Sequence, residues 1–273
     1  MVCALVDWLS LLRKCSQRMR DEVLPLVGKA KAGIGFGVGA GGDIMKRIDL
    51  VAEEALVKTL QDYDASCTVI SEESGVREVG SEPSRFYLTV DPLDGTTNAV
   101  RGVPFMAISI AGSKRPRLQD VEVALVADPI HDVVYTAEKG QGAFRNKRRI
   151  KPSSTASLRE AVVGIDFNAI GIERLAARLR SLLRKTKHFR HLGANALEIC
   201  YVADGTIDAF IDVRGKLRVT DVAAAYLILL EAGGIMTTPD GKNINIPLSP
   251  QQRVSFIAVG NPILHDAILR MLS

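Results

Sequence analysis

A run of β-forming residues leads directly into two aspartates held in a turn. Residues 86–90 are apolar or β-branched, which predicts a buried strand that delivers Asp91 at its C-terminal end. Pro92 fixes its own φ and lacks an N–H, so it stiffens the turn between Asp91 and Asp94. This spacing lets the two carboxylates and the Leu93 carbonyl face one small volume, and an all-oxygen cluster suits a hard cation such as Mg²⁺.

The residues after Asp94 add groups that bind anions. Gly95, Thr96 and Thr97 offer backbone N–H groups and hydroxyls where a helix is expected to begin, and such a position attracts phosphate. Taken alone, the Asp-Pro and Asp-Gly dipeptides are equally typical of an ordinary turn. The order of the eight residues 91–98 behind a strand favours a site for phosphoryl chemistry.

Length and composition fit a folded protein of one compact unit. The chain has 273 residues, 47% hydrophobic and 24% charged, which is ordinary for a globular protein. We expect two tightly joined halves that meet near residues 151–155. Residues 1–152 would hold a mixed or antiparallel sheet and most metal ligands, and 153–273 an α/β arrangement that supplies Asp221 and substrate contacts.

Charge and cysteine usage narrow the class of partner. The 35 Lys and Arg residues against 31 Asp and Glu are dispersed, which argues against nucleic-acid binding; we expect the one dense cluster, 145–149, to be a solvated hairpin or loop. Four widely spaced cysteines fit neither a zinc site nor a disulfide framework, and they favour a reducing cytosol. No apolar run is long enough to cross a membrane and no signal peptide is evident, so we expect a cytoplasmic protein.

The first quarter of the chain predicts two amphipathic helices around a glycine-rich segment. Apolar residues recur at helical spacing from Leu5 to Val23, and again after Asp49, with Asp43 or Asp49 as the expected N-cap. The segment 29–42 contains a G-x-G-x-x-G match, but a helix precedes it, so a dinucleotide site is rejected. It is predicted either as a mobile flap that approaches a ligand or as a flexible connector.

The remaining pattern predicts a mixed α/β fold with sequential strands followed by alternating strands and helices. The expected strands are 67–70, 107–111, 121–126, 133–136, 162–165, 209–212 and 255–259. The expected helices are 172–183, 194–203, 221–230 and one that begins at Pro262.

Acidic residues stand at the ends of several predicted elements. They are Asp49, Glu72, Asp91, Asp94 and Asp221. Hydrolysis of a phosphate monoester is very slow without a catalyst, and metal ions held by converging carboxylates supply the stabilisation that it needs. Glu72 and Glu73 are adjacent and point in different directions, so at most one of them is expected to join such a site.

Several sequence blocks resemble the inositol monophosphatase family, and they look closest to its archaeal-type bifunctional fructose-1,6-bisphosphatase/inositol-1-monophosphatases. In the family's order, the blocks are 46–49, 71–74, 91–98, 193–197 with 203–210, and 221–224 with 231–234. The resemblance implies a layered α/β/α/β/α sandwich, a homodimer, and a Mg²⁺-dependent phosphomonoester hydrolase.

The resemblance also implies a set of metal ligands. Glu72, Asp91 and the Leu93 carbonyl would hold one Mg²⁺, while Asp91, Asp94 and Asp221 would hold a second. Glu72 would help to bind a weaker third ion, and Mn²⁺ would be a possible substitute.

Catalytic and substrate-binding roles follow from the same resemblance. Asp49, Glu72 and Thr96 are the implied catalytic residues, with Asp49 and Thr96 orienting and deprotonating the attacking water. The implied substrate contacts are Asp94, Gly95, Thr96, Arg190, Gly193, Ala194, Arg214, Lys216 and Arg218. The substrate would be a small phosphorylated sugar or inositol.

Two features depart from the family pattern. Thr220 stands where Trp usually precedes the last aspartate, a change that should not abolish metal binding. The basic run 214–218 replaces an acid that contacts inositol in animal members. These cations, with Arg190, suit a second phosphate, or they form a solvated edge strand; the sequence leaves both open.

Fructose 1,6-bisphosphate or inositol 1-phosphate hydrolysis is the leading prediction, and other functions remain open. A 3′(2′),5′-bisphosphate nucleotidase of the same superfamily is the enzymatic alternative, and a catalytically idle scaffold of this fold is the non-enzymatic one. A haloacid-dehalogenase-type phosphatase needs Asp-x-Asp, whereas Asp91 and Asp94 are separated by two residues, which breaks that geometry.

Overall fold

Two large β-sheets, a separate two-stranded sheet and seven α-helices lie in the part of the chain that the structure, a computed structural model, describes: residues 6–81, 86–168 and 172–272. The first half contains α1 (Trp8–Val23), β1 (Gly35–Val38), β2 (Ile44–Lys46), α2 (Arg47–Asp62), β3 (Cys67–Ser71), β4 (Gly75–Val79), β5 (Tyr87–Asp94), α3 (Thr96–Arg101), β6 (Ala107–Ser113), β7 (Val121–Asp128), β8 (Val133–Glu138), β9 (Gly142–Arg145) and β10 (Arg148–Arg149). The second half contains β11 (Val162–Ile165), α4 (Ile172–Lys185), β12 (His188–Arg190), α5 (Asn195–Ala203), β13 (Ala209–Arg218), α6 (Val219–Ala232), β14 (Ile235–Thr237), β15 (Arg253–Val259) and α7 (Pro262–Leu272).

The larger sheet has eight strands in the order β10-β9-β8-β7-β6-β5-β3-β4, and only its β3–β5 pair is parallel. The second sheet has five strands in the order β12-β11-β13-β15-β14, with parallel pairs on both sides of β11. The expected mixed α/β class is confirmed. The parallel β3–β5 pair matters for function, because it brings the ends of both strands to one edge of the sheet.

Helices cover both sheets and produce a five-layer sandwich, as expected. Helices α1 and α2 pack on one face of the large sheet, and α5 and α6 lie between the two sheets. Helices α4 and α7 cover the outer face of the small sheet. Three clusters of buried apolar side chains fill the spaces between these layers, and the central one includes residues from both sheets. The predicted division at residues 152 and 153 stays a prediction.

The first helix forms for reasons that its sequence shows. Asp7 caps its N-terminus by accepting the Ser10 backbone N–H at 3.0 Å, and Leu12, Cys15 and Met19 are buried along one face. Leu5, which was expected to open this stripe, lies outside the described residues. None of the helices within the described ranges combines the length and apolarity that a bilayer crossing would require.

The glycine-rich segment is not a structureless connector. Strands β1 and β2 pair antiparallel, and residues 39–43 form the turn between them, with the Gly39 N–H donating to the Asp43 carbonyl at 2.8 Å. We call residues 35–46 the hairpin. The predicted N-caps were wrong, because α2 begins at Arg47 with Lys46 as its N-cap residue.

Two predicted elements are longer than the sequence pattern indicated. Strand β13 continues to Arg218 rather than ending at Asp212, because its outer part pairs with β15 after a register irregularity. Helix α6 then begins at Val219, so Asp221 is its third residue rather than its first. The basic cluster near residue 147 forms the β9–β10 hairpin with exposed side chains, as predicted.

Candidate active site

Four acidic side chains converge from the ends of three elements. Glu72 directly follows β3, while Asp91 and Asp94 both lie on β5, where the register with β6 shifts between them. Asp221 comes from the first turn of α6, in the layer between the two sheets. The shift in β5 replaces regular alternation, so a single strand can supply two carboxylates to one site.

Three of these residues form a cluster with the geometry of a cation site. Glu72, Asp91 and Asp221 each offer one carboxylate oxygen, and the three oxygens lie within 4.8 Å of one another. Burial raises the pKa of Asp91 well above its ordinary value, and the charges of Glu72 and Asp221 raise it further. Asp91 and Asp221 are buried and Glu72 is partly buried. A divalent cation stabilises carboxylates that repel one another at such short distances, so these residues fit a hard metal ion.

Asp94 lies beside this cluster and is fixed by the helix opposite. Its Oδ2 accepts the Ala196 backbone N–H at 2.6 Å, at the start of α5. Burial raises its pKa, and the Asp221 charge adds to that rise. Backbone hydrogen bonds from Ala196 and Asn195 oppose that rise and hold the carboxylate beside the cluster.

The backbone of the turn is held by its own side chains. The Leu93 N–H donates to Asp91 Oδ1 at 3.1 Å, and the Leu93 carbonyl lies 3.0 Å from the Thr96 hydroxyl. The Leu93 carbonyl, a predicted metal ligand, therefore lies next to Thr96, a predicted catalytic residue.

Asp49 and Thr96 form the pair that was expected to handle a proton. Thr96 Oγ1 lies 2.8 Å from Asp49 Oδ1, and Asp49 Oδ2 accepts the Lys46 backbone N–H at 3.0 Å. Asp49 is 2% exposed, and burial raises its pKa to about 6, against the opposing effect of the Thr96 hydrogen bond. A carboxylate with a raised pKa is a better proton acceptor near neutral pH.

A close approach of two loops borders this pair. Gly95 has φ +89°, and an added Cβ would lie 3.1 Å from both Ala194 Cβ and the Gly193 carbonyl. Asn98 connects the loops, since its amide donates to the Leu192 carbonyl at 2.8 Å. The structure thus brings together Gly95, Gly193 and Ala194, three of the residues that were predicted to contact substrate.

Glu198 holds the second of these loops from behind. Its Oε1 accepts the backbone N–H groups of Leu192 and Gly193, both at 3.1 Å. Burial raises the pKa of Glu198 to about 7, while these hydrogen bonds oppose the rise.

The basic run does not form a solvated strand. The Arg214 side chain is 7% exposed and donates to Asp166 at 2.6 Å, to Asp212, and to the Asn168 carbonyl at 2.8 Å. Arg218 is 13% exposed and lies 2.9 Å from Glu72 Oε1. The solvated alternative is therefore wrong for both arginines, because each guanidinium is surrounded by carboxylates.

The other two predicted cations are exposed. Lys216 lines the cavity over the acidic cluster, next to Arg214. Arg190 is absent from the residues that line this cavity, and it donates to the neighbouring Phe189 carbonyl at 2.7 Å. Its proposed contact with substrate therefore gains no support from the geometry.

One cavity of about 870 Å³ joins these features. Asp166, Asn168 and His191 also line it, and none of the three was predicted from the sequence. A signal was available, since Asp166 directly follows β11 and His191 directly follows β12, in the way that Glu72 follows β3. Polar residues at the carboxyl ends of parallel strands are frequent site residues.

The comparison with known protein families agrees with the site. Residues 10–273 match the model of the "Inositol monophosphatase family". The chain belongs to the inositol monophosphatase family. This confirms the resemblance drawn from the sequence blocks and places the chain among phosphatases.

Individual members of the inositol monophosphatase family match over most of the chain. A fructose-1,6-bisphosphatase/inositol-1-monophosphatase from Methanothermobacter thermautotrophicus is 39% identical, covering 97% of this chain and 96% of that protein. A bifunctional NADP phosphatase/NAD kinase from Methanococcus maripaludis is 32% identical over 97% of this chain, which spans 49% of that protein. A crystal structure of an inositol monophosphatase–fructose 1,6-bisphosphatase has a TM-score of 0.85 at 29% identity, covering 98% of this chain and all of that one.

Proposed function

We propose that this protein is a divalent-cation-dependent phosphomonoester hydrolase that acts on fructose 1,6-bisphosphate, inositol 1-phosphate or both, with Mg²⁺ as its cofactor. The observation that carries the proposal is the cluster of Glu72, Asp91 and Asp221 oxygens within 4.8 Å, bordered by the Asp49–Thr96 pair. A cation site beside a proton acceptor is what metal-assisted hydrolysis requires.

The cation would be held by the residues already grouped by geometry. Glu72, Asp91, Asp94 and Asp221 would provide carboxylate oxygens for two or three ions, and Leu93 would provide its carbonyl. Bound divalent ions supply charge that stabilises the phosphoryl group and its leaving oxygen during displacement.

The chain's own groups would position and deprotonate the attacking water. In our proposal the Thr96 hydroxyl accepts a hydrogen bond from the water and donates its own hydrogen to Asp49 Oδ1, 2.8 Å away. Asp49 takes up the Thr96 hydroxyl proton while Thr96 takes one from the water, and the raised pKa of Asp49, about 6, suits that role. The backbone N–H groups of Gly95 and Thr96 would bind phosphate oxygens.

The rest of the substrate would lie between the two loops and the basic run. Gly193 borders Gly95 and lines the cavity, and we propose that it contacts the sugar or inositol ring. Ala194 is fully buried and is not among the residues that line the cavity, so its expected contact with substrate gains no support from the geometry. A second phosphate, where the substrate has one, would meet Lys216, which is exposed and lines the cavity, whereas Arg214 and Arg218 are already paired with carboxylates. The relative from Methanothermobacter thermautotrophicus is named a fructose-1,6-bisphosphatase/inositol-1-monophosphatase, which supports a bisphosphate as one of the substrates.

A substrate panel tests the proposal directly. Phosphate release would be measured with fructose 1,6-bisphosphate, inositol 1-phosphate, 3′-phosphoadenosine 5′-phosphate and NADP, with Mg²⁺, with Mn²⁺ and with a chelator. We expect chelation to abolish turnover and the first two substrates to have the highest kcat/KM. Highest kcat/KM on a nucleotide would replace the substrate assignment, and no turnover on any of them would favour an idle scaffold.

Two variants test the site itself. Asp94→Asn keeps the shape of the side chain and an acceptor for the Ala196 N–H, so its circular-dichroism spectrum should match the wild type while Mg²⁺-dependent phosphate release is lost. Undiminished activity in that variant would refute the cation assignment. Glu54→Gln, an exposed carboxylate on α2, is the matched control and should retain full activity.

Lys216→Gln separates the substrates, because only the bisphosphate has a second phosphate. We expect it to raise the KM for fructose 1,6-bisphosphate about 10-fold, or roughly 1.4 kcal/mol, with little change for inositol 1-phosphate. Equal changes for both substrates would show that Lys216 does not contact the second phosphate.

A homodimer and a cytoplasmic location also belong to this proposal, and the dimer is tested by light scattering of the purified chain.

A further inference from the structure

Arg218 contacts two parts of the molecule that are distant in sequence. Its guanidinium is paired with Glu72 Oε1 at 2.9 Å on one side. On the other side it donates to the Gly41 carbonyl at 3.2 Å and is paired with Asp43, both in the turn of the hairpin. Its own backbone N–H donates to Asp221 Oδ2 at 3.3 Å.

The hairpin contacts the cation site through the Arg218 side chain and through the backbone of Glu72 and Glu73. The Gly41 N–H donates to the Glu72 carbonyl at 2.7 Å, and the Ala40 N–H donates to the Glu73 carbonyl at 2.9 Å. Gly41 also permits the approach of Arg218, since an added Cβ would lie 2.4 Å from Arg218 Nε. The β2 strand of the hairpin then leads directly into α2 and Asp49.

We propose that Arg218 is a positioning residue that ties the hairpin to Glu72 and serves as the resident counter-charge of the acidic cluster. A guanidinium 13% exposed beside a carboxylate that is 17% exposed lowers the electrostatic cost of holding the cluster together. A divalent ion that binds Glu72 must therefore share that carboxylate with a cation already in place. The fold of the hairpin and the affinity for the ion are thereby linked through one side chain.

Two substitutions at this position separate charge from geometry. Arg218→Gln removes the charge, so the cluster loses a competing cation and should bind Mg²⁺ more tightly, by at least about fivefold, which is the effect of one unit charge at about 4 Å even with the screening of bulk water. Arg218→Lys keeps the charge, but its single ammonium cannot reach Glu72, the Gly41 carbonyl and Asp43 together. Its Mg²⁺ affinity should stay within about twofold of the wild type, because the charge is kept.

Both variants should release the hairpin. Hydrogen–deuterium exchange of residues 39–46, measured without divalent ions, is expected to rise about 10-fold in each, because the ties from Arg218 are lost. Arg253→Gln is the matched control: Arg253 also donates to the Gly41 carbonyl, at 2.6 Å, yet Glu72 is not among its partners. That variant should raise exchange in the hairpin while its gain in Mg²⁺ affinity stays well below that of Arg218→Gln.

The measurements are titration calorimetry with Mg²⁺ and exchange mass spectrometry on the full chain. Tighter binding in Arg218→Gln with faster hairpin exchange supports the proposal, and unchanged exchange or weaker Mg²⁺ binding overturns it. The inference rests on the cation site of the proposed function, but its exchange arm does not. A chain that binds no Mg²⁺ at all would refute the proposed function, while faster exchange in both Arg218 variants would still support the tie to the hairpin.

Discussion

The raised pKa of Asp49 leads to a stability prediction that needs no substrate. Burial raises this pKa from 3.8 to about 6, so in the folded protein the carboxyl binds its proton more tightly than in the unfolded chain. The stabilisation from that proton is fully present below about pH 4 and is lost as the pH rises through about 6. At 1.36 kcal/mol per pKa unit, the shift of 2.2 units corresponds to about 3 kcal/mol.

Asp49→Asn removes this titration while keeping the size of the side chain. The difference in unfolding free energy between variant and wild type should therefore change with pH by about 3 kcal/mol in total, in favour of the variant at high pH. From the two pKa values, about half of this change, roughly 1.4 kcal/mol, falls between pH 5 and pH 8. Lost hydrogen bonds to Thr96 and Lys46 add an offset that does not depend on pH.

The assay is urea unfolding in the presence of a chelator, at several pH values between about 5 and 8. Trp8, the single tryptophan, stacks on Phe86 with ring centroids 4.1 Å apart and provides a fluorescence signal. Glu54→Gln on the same helix is the control, because its carboxylate is exposed. Parallel pH profiles for Asp49→Asn and wild type would refute the reasoning, whatever the size of the constant offset.

Three further predictions concern the ion, the threonine and the loop behind the site. Mg²⁺ at 100 times its Kd should stabilise the fold by about 2.7 kcal/mol and raise Tm by roughly 5–10 °C at neutral pH. The Tm shift at the same Mg²⁺ concentration should be smaller at pH 5, because the raised pKa values of Glu72 and Asp91 let protons compete with the ion. A Tm shift that is equal at pH 5 and at neutral pH would contradict this. Thr96→Val should lower kcat about 10²–10⁴-fold with little change in Tm, and Thr96→Ser should restore most of it; equal rates in the two variants would argue against a role for the hydroxyl. Glu198→Ala should raise KM through the loop at Gly193, measured by steady-state kinetics, while Glu198→Gln keeps an acceptor for the two N–H groups and should behave like the wild type. A KM unchanged in Glu198→Ala would show that the loop keeps its place without this carboxylate.

The sequence indicated the acids of the site because each of them follows a recognisable element. Glu72 and Asp91 come after runs of β-formers, and the Gly95 conformation follows from the Asp-Gly turn. The same reasoning applied to β11 would have found Asp166. Start positions of helices were less accurate, since local patterns do not distinguish an N-cap from the third residue of a helix, as Asp49 and Asp221 show.

Pairings across the chain were beyond sequence reasoning. In the sequence, Arg214 is part of a basic run and has no evident acidic partner. In the fold it lies between Asp166, which follows β11, and Asp212 on the adjacent strand β13. Arg218 meets Gly41 across 177 positions, and no local pattern encodes such a contact. Periodicity predicts which face of an element is buried, whereas the partner of a charged side chain depends on how the layers stack.

The placement of the acids in separate layers has a consequence for how the chain reaches its native state. Glu72 follows a strand of the large sheet and Asp221 lies on α6, so the two are brought together only when α6 has docked on that sheet. Any intermediate with one sheet formed would contain at most a fragment of the cluster, so ion uptake should be among the last events of refolding. A stopped-flow experiment with a fluorescent magnesium indicator would then time the docking of α6 on the large sheet, without a label on the chain.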